Sequence, residues 1–328
     1  MSTLEAAVDV VVAAGAFVLA GRLTRGRGKV ALALGLVIAV TAAWLFTQTV
    51  EAAFRAYLAV AFGLGAGIVA AGLPVLGANA EAPRRPRVTV AVVAFALVAT
   101  LALGGWIGGN SPSRTWLGPI VSHGDRHGSA VAITFDDGPN VSESLVVAHI
   151  LDSFGAKGTF FTVGKALDAR PDISRALLAD GQLLGNHSYH HDQWRWLDPR
   201  YPELERTQAA FRRRLDVCPT FYRPPHGEHT PFMSYQLARK HMTMVGWDTS
   251  ATDFATTDGR AVARRILSRV RPGSIVVLHD GIDGNLTADR SVLTVALPLI
   301  LRGLRAKGLH AVRLDQLLGI RPYGASHC

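Results

Sequence analysis

The stretch Val131-Ala132-Ile133-Thr134-Phe135-Asp136-Asp137-Gly138-Pro139 decides the fold of the second part of this 328-residue chain. Its apolar run predicts a buried strand at Val131–Phe135. The strand ends in two adjacent acids ahead of a Gly-Pro turn. A turn signal alone can account for that ending. Two neighbouring carboxylates can also divide a reaction between them, because one can bind a cation while the other serves as a base.

Short apolar runs alternate with helical patterns from this strand to the end of the chain. Further strands are predicted at 158–163, 182–186, 242–247, 274–279 and 310–313, and helices at 142–154, 171–180, 199–215, 258–270 and 290–307. The alternation predicts an α/β fold of βα units with a parallel sheet, as a barrel or in open form. In both forms, functional side chains collect where the strands end.

The chain before this domain, residues 1–107, consists mainly of Ala, Val, Leu and Gly. A helix needs about 20 apolar residues to cross the hydrocarbon core of a bilayer. Val30–Thr49, Ala56–Gly77 and Val88–Ile107 meet this length, whereas Ala6–Gly21 is shorter and carries an acid. We predict an all-α transmembrane region of about four helices. A signal peptide is the alternative for the first segment, but residues 1–9 lack its basic start.

Basic residues predict the orientation of this region. They crowd the first and third loops, at Arg22, Arg25, Arg27, Lys29, Arg84, Arg85 and Arg87. Positive loops stay in the cytoplasm, so the chain after residue 107 is expected outside the cell. The predicted organisation is a multi-pass region in the cell membrane at 1–107, a linker at 108–129 and an extracellular α/β domain at 130–328.

The net charge of +9 is consistent with an anionic partner such as nucleic acid, membrane lipid or a wall polymer. No run interleaves basic and aromatic residues, so we predict membrane lipid as a partner and no nucleic acid. The sequence identifies no protein partner. Its two cysteines, Cys218 and Cys328, are too few for a disulfide scaffold. They could pair outside the cell, or Cys328 could stay free at the chain end.

Polar residues also follow the other predicted strands. His187 and His191 stand four apart, a spacing that can bring two imidazoles to one metal, although surface histidines show it too. The remaining blocks are Tyr222-Arg223-Pro224-Pro225-His226-Gly227, Trp247-Asp248, Asp253-Phe254 and Val277-Leu278-His279-Asp280. Two histidines and one carboxylate with open positions form a known kind of catalytic metal site.

In order, the blocks TFDDGP, HSYHH, RPPHG, Asp253-Phe254 and VLH resemble the polysaccharide deacetylase family, also called the NodB-homology or carbohydrate esterase 4 family. The resemblance covers about residues 130–318. It implies a distorted (β/α) barrel and a divalent metal, usually zinc, with cobalt, manganese or nickel as alternatives.

The resemblance also implies a role for each matching residue. Asp137, His187 and His191 match the metal ligands. Asp136 matches the catalytic base, His279 the catalytic acid, Arg223 the residue that orients the base, and Asp253 the residue that tunes the acid. The backbone N–H of His226 would share the oxyanion with the metal.

Three residues depart from the usual family pattern: His226, Phe254 and Val277 stand where Tyr or Trp, Trp, and Leu are common. These residues belong to the expected substrate and oxyanion region, so the changes concern the shape of the pocket. The chemistry expected is hydrolysis of N-acetyl groups by water, with a carboxylate base and a histidine acid.

Several substrates and two other classes of protein stay open at this point. Outward topology favours peptidoglycan or a related wall glycan over chitin oligosaccharides, and the same chemistry could cleave O-acetyl esters. A non-catalytic glycan-binding membrane protein would be expected to lack Asp136 or His279, and both are present. An intramembrane carrier is disfavoured because the clear spans contain no buried charge.

Overall fold

The computed structural model describes residues 103–192, 198 and 200–324. The four predicted spans therefore lie outside the described residues, except for 103–107 at the end of the last one, which are helical. Among the described residues, no helix combines the length and the apolar character needed to cross a membrane. Residues Ile107–Cys328 make up one compact unit.

This unit alternates strands and helices along the chain. The strands are β1 (Ala130–Asp136), β2 (Thr159–Thr162), β3 (Leu183–Asn186), β4 (Phe221–Tyr222), β5 (Thr243–Met244), β6 (Thr249–Ser250), β7 (Ile275–His279) and β8 (His310–Val312). The helices are α1 (Ser144–Ser153), α2 (Gly164–Ala169), α3 (Pro171–Ala179), α4 (Pro202–Leu215), α5 (Pro231–Arg239), α6 (Gly259–Arg269), α7 (Val292–Ala306) and α8 (Leu314–Leu318). Single 3₁₀ turns lie at Pro225–Gly227 and Asp253–Ala255.

The strands form one parallel sheet in the order β5-β4-β3-β2-β1-β7-β6, with β8 also paired to β1. The sheet curls into a half-barrel, in agreement with the predicted α/β fold. Its register aligns the strand ends, because Asp136 of β1 pairs with His279 of β7. On the other side of β1, Asn186 of β3 pairs with Thr162 of β2 and with Tyr222 of β4.

The side chains of β1 alternate between two cores, as expected for a strand. Ile133 and Phe135 pack with residues of α1, α6 and α7 in the larger core. Ala132 points the other way, into a smaller core that also contains Phe161 and Ile275. Asp136 lies on the same face as Ala132, so the strand delivers its last side chain to the concave side of the sheet.

The predicted strand at 242–247 is the main difference from the sequence analysis. Only Thr243–Met244 forms a strand there, and the chain then crosses to the opposite end of the sheet, where β6 pairs with β7. Past the strand, Gly246 packs closely against Pro112, because a Cβ atom built on it would lie 1.6 Å from the carbonyl oxygen of Pro112. The short helices α2, α5 and α8 were not predicted, since each is too brief for a helical period to stand out.

Residues 108–123, here called the docked segment, pack on the domain although they fall in the predicted linker. The carbonyl oxygen of Gly109 accepts a hydrogen bond from the backbone N–H of His229 at 2.9 Å. Pro112 contacts Gly246 and also Gly227, where an added Cβ would come within 3.0 Å of the proline ring. Val121 then forms a parallel bridge with the residue that follows β5.

Cys218 is buried and disulfide-bonded. The only other cysteine of the sequence, Cys328, lies outside the described residues.

Candidate metal and catalytic site

The carboxyl ends of β1, β3 and β7 meet at one edge of the sheet and carry the polar residues singled out in the sequence. β1 supplies Asp136 and is followed by Asp137, β3 is followed by His187, and β7 ends in His279. Parallel strands place such residues side by side, because their ends of the same kind share one edge.

Asp137, His187 and His191 form a compact group of possible metal ligands, here called the metal group. The Oδ1 atom of Asp137 lies 3.3 Å from Nε2 of His187 and 3.1 Å from Nε2 of His191. A tetrahedral ion with bonds of about 2.0–2.1 Å separates its ligand atoms by about 3.3 Å. This Oδ1 is buried and accepts no hydrogen bond. The three side chains therefore fit a divalent cation.

Each histidine of this group has a fixed outer nitrogen. Nδ1 of His187 donates to the backbone carbonyl oxygen of Arg223 at 2.8 Å, which leaves the Nε2 lone pair facing Asp137. Nδ1 of His191 lies 2.7 Å from Oδ1 of Asp283, in the arrangement of an ion pair. Burial lowers the pKa of His191, but Asp137 and Asp283 together raise it above its ordinary value.

The charge of Asp137 is maintained despite its burial. Burial alone raises the pKa of this carboxyl. The charges of the neighbouring histidines His191, His279 and His187 outweigh that effect and lower the pKa well below its usual range. Asp137 is thus ionised at neutral pH and can serve as an anionic ligand.

Asp136 is held by a buried arginine. Its Oδ1 accepts a hydrogen bond from Nη1 of Arg223 at 2.6 Å, and the arginine is 0% exposed. The same guanidinium donates to Oγ1 of Thr134 at 2.7 Å and to the carbonyl oxygen of Gly246 at 3.1 Å. The other carboxylate oxygen of Asp136 lies 3.8 Å from Nε2 of His187, on the side of the metal group.

His279 ends β7 next to Asp136 in the strand register and is held by Asp253. The Asp253 carboxylate accepts from Nδ1 of His279 at 2.9 Å and from its backbone N–H at 2.9 Å. Arg290 donates to the same carboxylate at 2.6 Å and to the carbonyl oxygen of His279 at 2.8 Å. Burial lowers the pKa of His279, but the charge of Asp253 and its hydrogen bond raise it to about 9.

Non-glycine residues with positive φ concentrate around this site among the described residues. They include Asp137 (76°), Ser188 (64°), His191 (56°), His226 (56°), Thr252 (52°) and Asp283 (49°). Such conformations cost energy for residues with a Cβ and persist where surrounding structure enforces them. The surrounding structure therefore holds these residues in unfavourable backbone conformations around the site, at a cost in stability.

The three residues predicted for the substrate region lie around this centre. The exposed ring of His226 stands 4.7 Å from the ring of His191. Phe254, which is half-exposed, meets the His279 ring edge-on at 5.1 Å. Val277 is fully buried, two residues before His279 on the same face of β7.

An open groove of about 620 Å³ begins at Phe254 and is lined in part by Thr256, Ile282 and Val292. An aromatic ring together with hydroxyl and aliphatic groups suits the mixed surface of a sugar ring.

Two of the polar residues noted in the sequence point elsewhere. Nδ1 of His190 lies 3.0 Å from Oε2 of Glu203, on the first turn of α4, and not in the metal group. Asp248 binds Arg126 at 2.6 Å and also accepts from the backbone N–H of Ile275 at 3.1 Å. Both pairs therefore secure loops of the fold.

Three further residues touch the site, and their types in the sequence indicated no role. Asp283 and Arg290 belong to the irregular loop after β7, although the sequence predicts a helix from residue 290. Asp280 directly follows His279, is buried against Gly138 and accepts a hydrogen bond from the hydroxyl of Ser144. Burial raises the pKa of Asp280 to about 7. Its place in the VLHD block was the one available signal.

Residues 123–245 match the polysaccharide deacetylase family. The chain carries a polysaccharide deacetylase domain. The match ends before Asp253 and His279, which the parallel sheet nevertheless brings to the edge that carries Asp136 and Asp137.

Characterised deacetylases are similar to this polysaccharide deacetylase domain over most of its length. A peptidoglycan-N-acetylglucosamine deacetylase of Bacillus cereus is 26% identical over 196 residues, which cover 59% of this chain and 70% of that protein. A chitooligosaccharide deacetylase of Azorhizobium caulinodans is 29% identical over 191 residues, covering 55% of this chain and 90% of that protein.

A solved structure has the same fold. It is a peptidoglycan N-acetylglucosamine deacetylase crystallised with 4-naphthalen-1-yl-N-oxidanyl-benzamide, 25% identical in sequence, with a TM-score of 0.57. The superposition covers 62% of this chain and 94% of that one.

Proposed function

We propose that this protein is a metal-dependent deacetylase that hydrolyses N-acetyl groups of an amino-sugar polymer. The observation that carries the proposal is the arrangement of two differently held groups around one metal group. Arg223 holds Asp136 from the β4 end of the sheet, and Asp253 holds His279 from the β6 end, beside the group Asp137, His187 and His191. Amide hydrolysis is promoted by a base that takes a proton from the attacking water and an acid that gives one to the departing amine, and this arrangement offers a candidate for each.

Asp136 is the proposed base. Arg223 holds one of its oxygens at 2.6 Å, which fixes the carboxylate and turns the other oxygen toward the metal group. That second oxygen is placed to take a proton from a water molecule as it attacks the acetyl carbon. The buried guanidinium keeps the carboxylate oriented and compensates its charge.

His279 is the proposed acid. Asp253 binds its Nδ1, so Nε2 is the nitrogen left to give a proton to the departing amine. With its pKa raised to about 9, the imidazole carries that proton at neutral pH. An amine is a poor leaving group until it is protonated, so a charged histidine at this place promotes cleavage of the C–N bond.

Asp137, His187 and His191 are the residues that would hold the cation. A bound divalent ion would polarise the acetyl carbonyl and lower the pKa of water toward about 7. Two imidazoles and one carboxylate with open positions suit zinc, and they also accept cobalt, manganese or nickel. The backbone N–H of His226 is the proposed second donor to the developing oxyanion.

The proposed substrate is peptidoglycan or a related wall glycan, with chitin oligosaccharides as the second candidate. The relatives named above act on one or the other by name. The apolar segments and basic loops of residues 1–107 support a multi-pass membrane anchor with the domain outside the cell, where a wall glycan would be within reach.

The test is acetate release by the purified full chain, offered peptidoglycan and chitin oligosaccharides in separate reactions with zinc. We expect release that a chelator abolishes and added zinc restores. His279→Ala is the matched control, because it should bind zinc like the wild type and yet release almost no acetate. A zinc-loaded wild type that releases acetate from neither glycan would reject the proposal, and full turnover in the variant would reject the acid.

A further inference from the structure

The two histidines of the metal group differ in what holds their outer nitrogen. His187 donates to a backbone carbonyl oxygen, that of Arg223, whose position is set by β4. His191 meets a side chain instead, the carboxylate of Asp283, at 2.7 Å from Nδ1 to Oδ1. A carboxylate in this place fixes the ring and also makes its other nitrogen a stronger ligand.

Asp283 reaches His191 from a loop that the fold holds in place. Two residues before it, a Cβ added to Gly281 would lie 2.5 Å from the carbonyl oxygen of Asp137. Directly after it, a Cβ added to Gly284 would lie 2.7 Å from the side chain of Val163. The backbone on both sides of Asp283 is therefore pressed against the domain, although the carboxylate itself is 62% exposed.

The ring of His191 is also confined on another side by His226. The two rings lie 4.7 Å apart at an interplanar angle of 62°. His191, His226 and Asp283 all have a positive φ, at 56°, 56° and 49°. Three strained backbone positions thus converge on one imidazole, and its Nε2 points at Oδ1 of Asp137, 3.1 Å away.

We propose that Asp283 is a positioning residue for the divalent cation, which acts by orienting His191 and strengthening it as a ligand. The inference rests on the proposed function only in that the group Asp137, His187 and His191 holds a metal. Asp283 is not among these three ligands and would act through His191. Its loss should therefore weaken metal binding without removing a ligand.

The experiment measures the affinity of the full chain for zinc by competition with a chelator, apart from any turnover. We expect Asp283→Asn to weaken zinc binding by about 10-fold to 100-fold, the usual effect of removing such a partner. Asp283→Glu should regain part of the affinity. Asp289→Asn is the matched control on the same loop, since Asp289 accepts a hydrogen bond from the backbone N–H of Ser291 nearby, at 2.9 Å, and belongs to neither candidate group of metal ligands.

Two further readouts separate positioning from a general structural effect. Asp283→Asn should unfold without metal at the same temperature as the wild type, and saturating zinc should restore most of its acetate release. In a His191→Ala background, Asp283→Asn should cause no further loss of zinc affinity, because the ring it orients is gone.

Each outcome bears on either the positioning role or the proposed function. The role of Asp283 would be overturned if Asp283→Asn bound zinc as tightly as the wild type. It would also be overturned if Asp283→Asn reduced zinc affinity by the same factor in the His191→Ala background as in the wild type. A wild type that does not bind zinc would overturn it as well. A wild type that binds zinc tightly but releases no acetate would reject the proposed function alone.

Discussion

The two sides of the site both pair a carboxylate with a buried arginine, yet they leave the carboxylates in different states. Arg223 takes one oxygen of Asp136, and the other oxygen faces the metal group. Both oxygens of Asp253 already accept hydrogen bonds. Oδ1 accepts from the ring of His279, and Oδ2 accepts from Arg290 and from the backbone N–H of His279. The same pair of residue types therefore leaves a free carboxylate oxygen on Asp136, the proposed proton acceptor, and none on Asp253, the proposed support of His279.

The largest expected effect comes from neutralising the carboxylate with the available oxygen. Asp136→Asn keeps the size of the side chain but removes the proton acceptor, so kcat should fall by about 10²-fold to 10⁴-fold. Zinc affinity should stay close to the wild-type value, since Asp136 is not among the proposed ligands. Acetate release at saturating zinc measures the first quantity and chelator competition the second. A variant that keeps a large part of its turnover would remove the distinction between the two sides.

A smaller effect is expected on the supporting side, and it should appear in the pH profile. Protonated His279 is the active form, so kcat/KM should fall as pH rises through the pKa of His279, about 9 without metal. A cation on Asp137 reduces one of the charges that raise this pKa, so the fall in the loaded enzyme is expected at or below that pH. Asp253→Asn removes the principal raising charge and should move the fall to lower pH by about one unit. An unchanged alkaline limb would contradict the support assigned to Asp253.

The smallest effect is expected from Arg290→Lys. Lysine keeps the positive charge beside Asp253 but cannot donate as a fork to both Asp253 and the His279 carbonyl oxygen. We expect a loss of about 1–2 kcal/mol in the free energy of unfolding, measured with urea, and only a small change in kcat/KM. The same change at Arg223 should cost more, because that guanidinium is 0% exposed and binds Thr134, Asp136 and Gly246. An equal loss in the free energy of unfolding for the two variants would mean that Arg223 and Arg290 stabilise their carboxylates to the same extent.

Much of this arrangement could be predicted from the sequence because it depends on strand ends. A buried strand that stops in Asp136-Asp137, and another that stops in His279, place their polar residues at a common edge in any parallel sheet. The residues predicted for the site lie together there, and the roles given to them stay predictions. The alternation of short strands and helices likewise predicted the α/β fold, because the longer elements show enough of their hydrophobic periodicity to be recognised.

The parts that could not be predicted depend on contacts between distant segments. Asp283 and Arg290 lie in an irregular loop, and only the close approach of Gly281 to Asp137 brings that loop to the site. The strand predicted at 242–247 stops at Met244, and the chain beyond it packs at Gly246 against Pro112, which is far away in sequence. The hydrophobic periodicity of a segment does not indicate which distant segments it will contact.

The docked segment has a mechanical consequence. Pro112 fills the space where Gly246 lacks a side chain, and the carbonyl oxygen of Gly246 accepts a hydrogen bond from Arg223 at 3.1 Å. Gly109 is bonded to His229, which follows the turn that carries His226. Tension applied to the chain ahead of residue 108 would therefore load these contacts before any strand of the sheet. The first atoms to bear a pull on this domain are those that hold its proposed base and oxyanion donor in place.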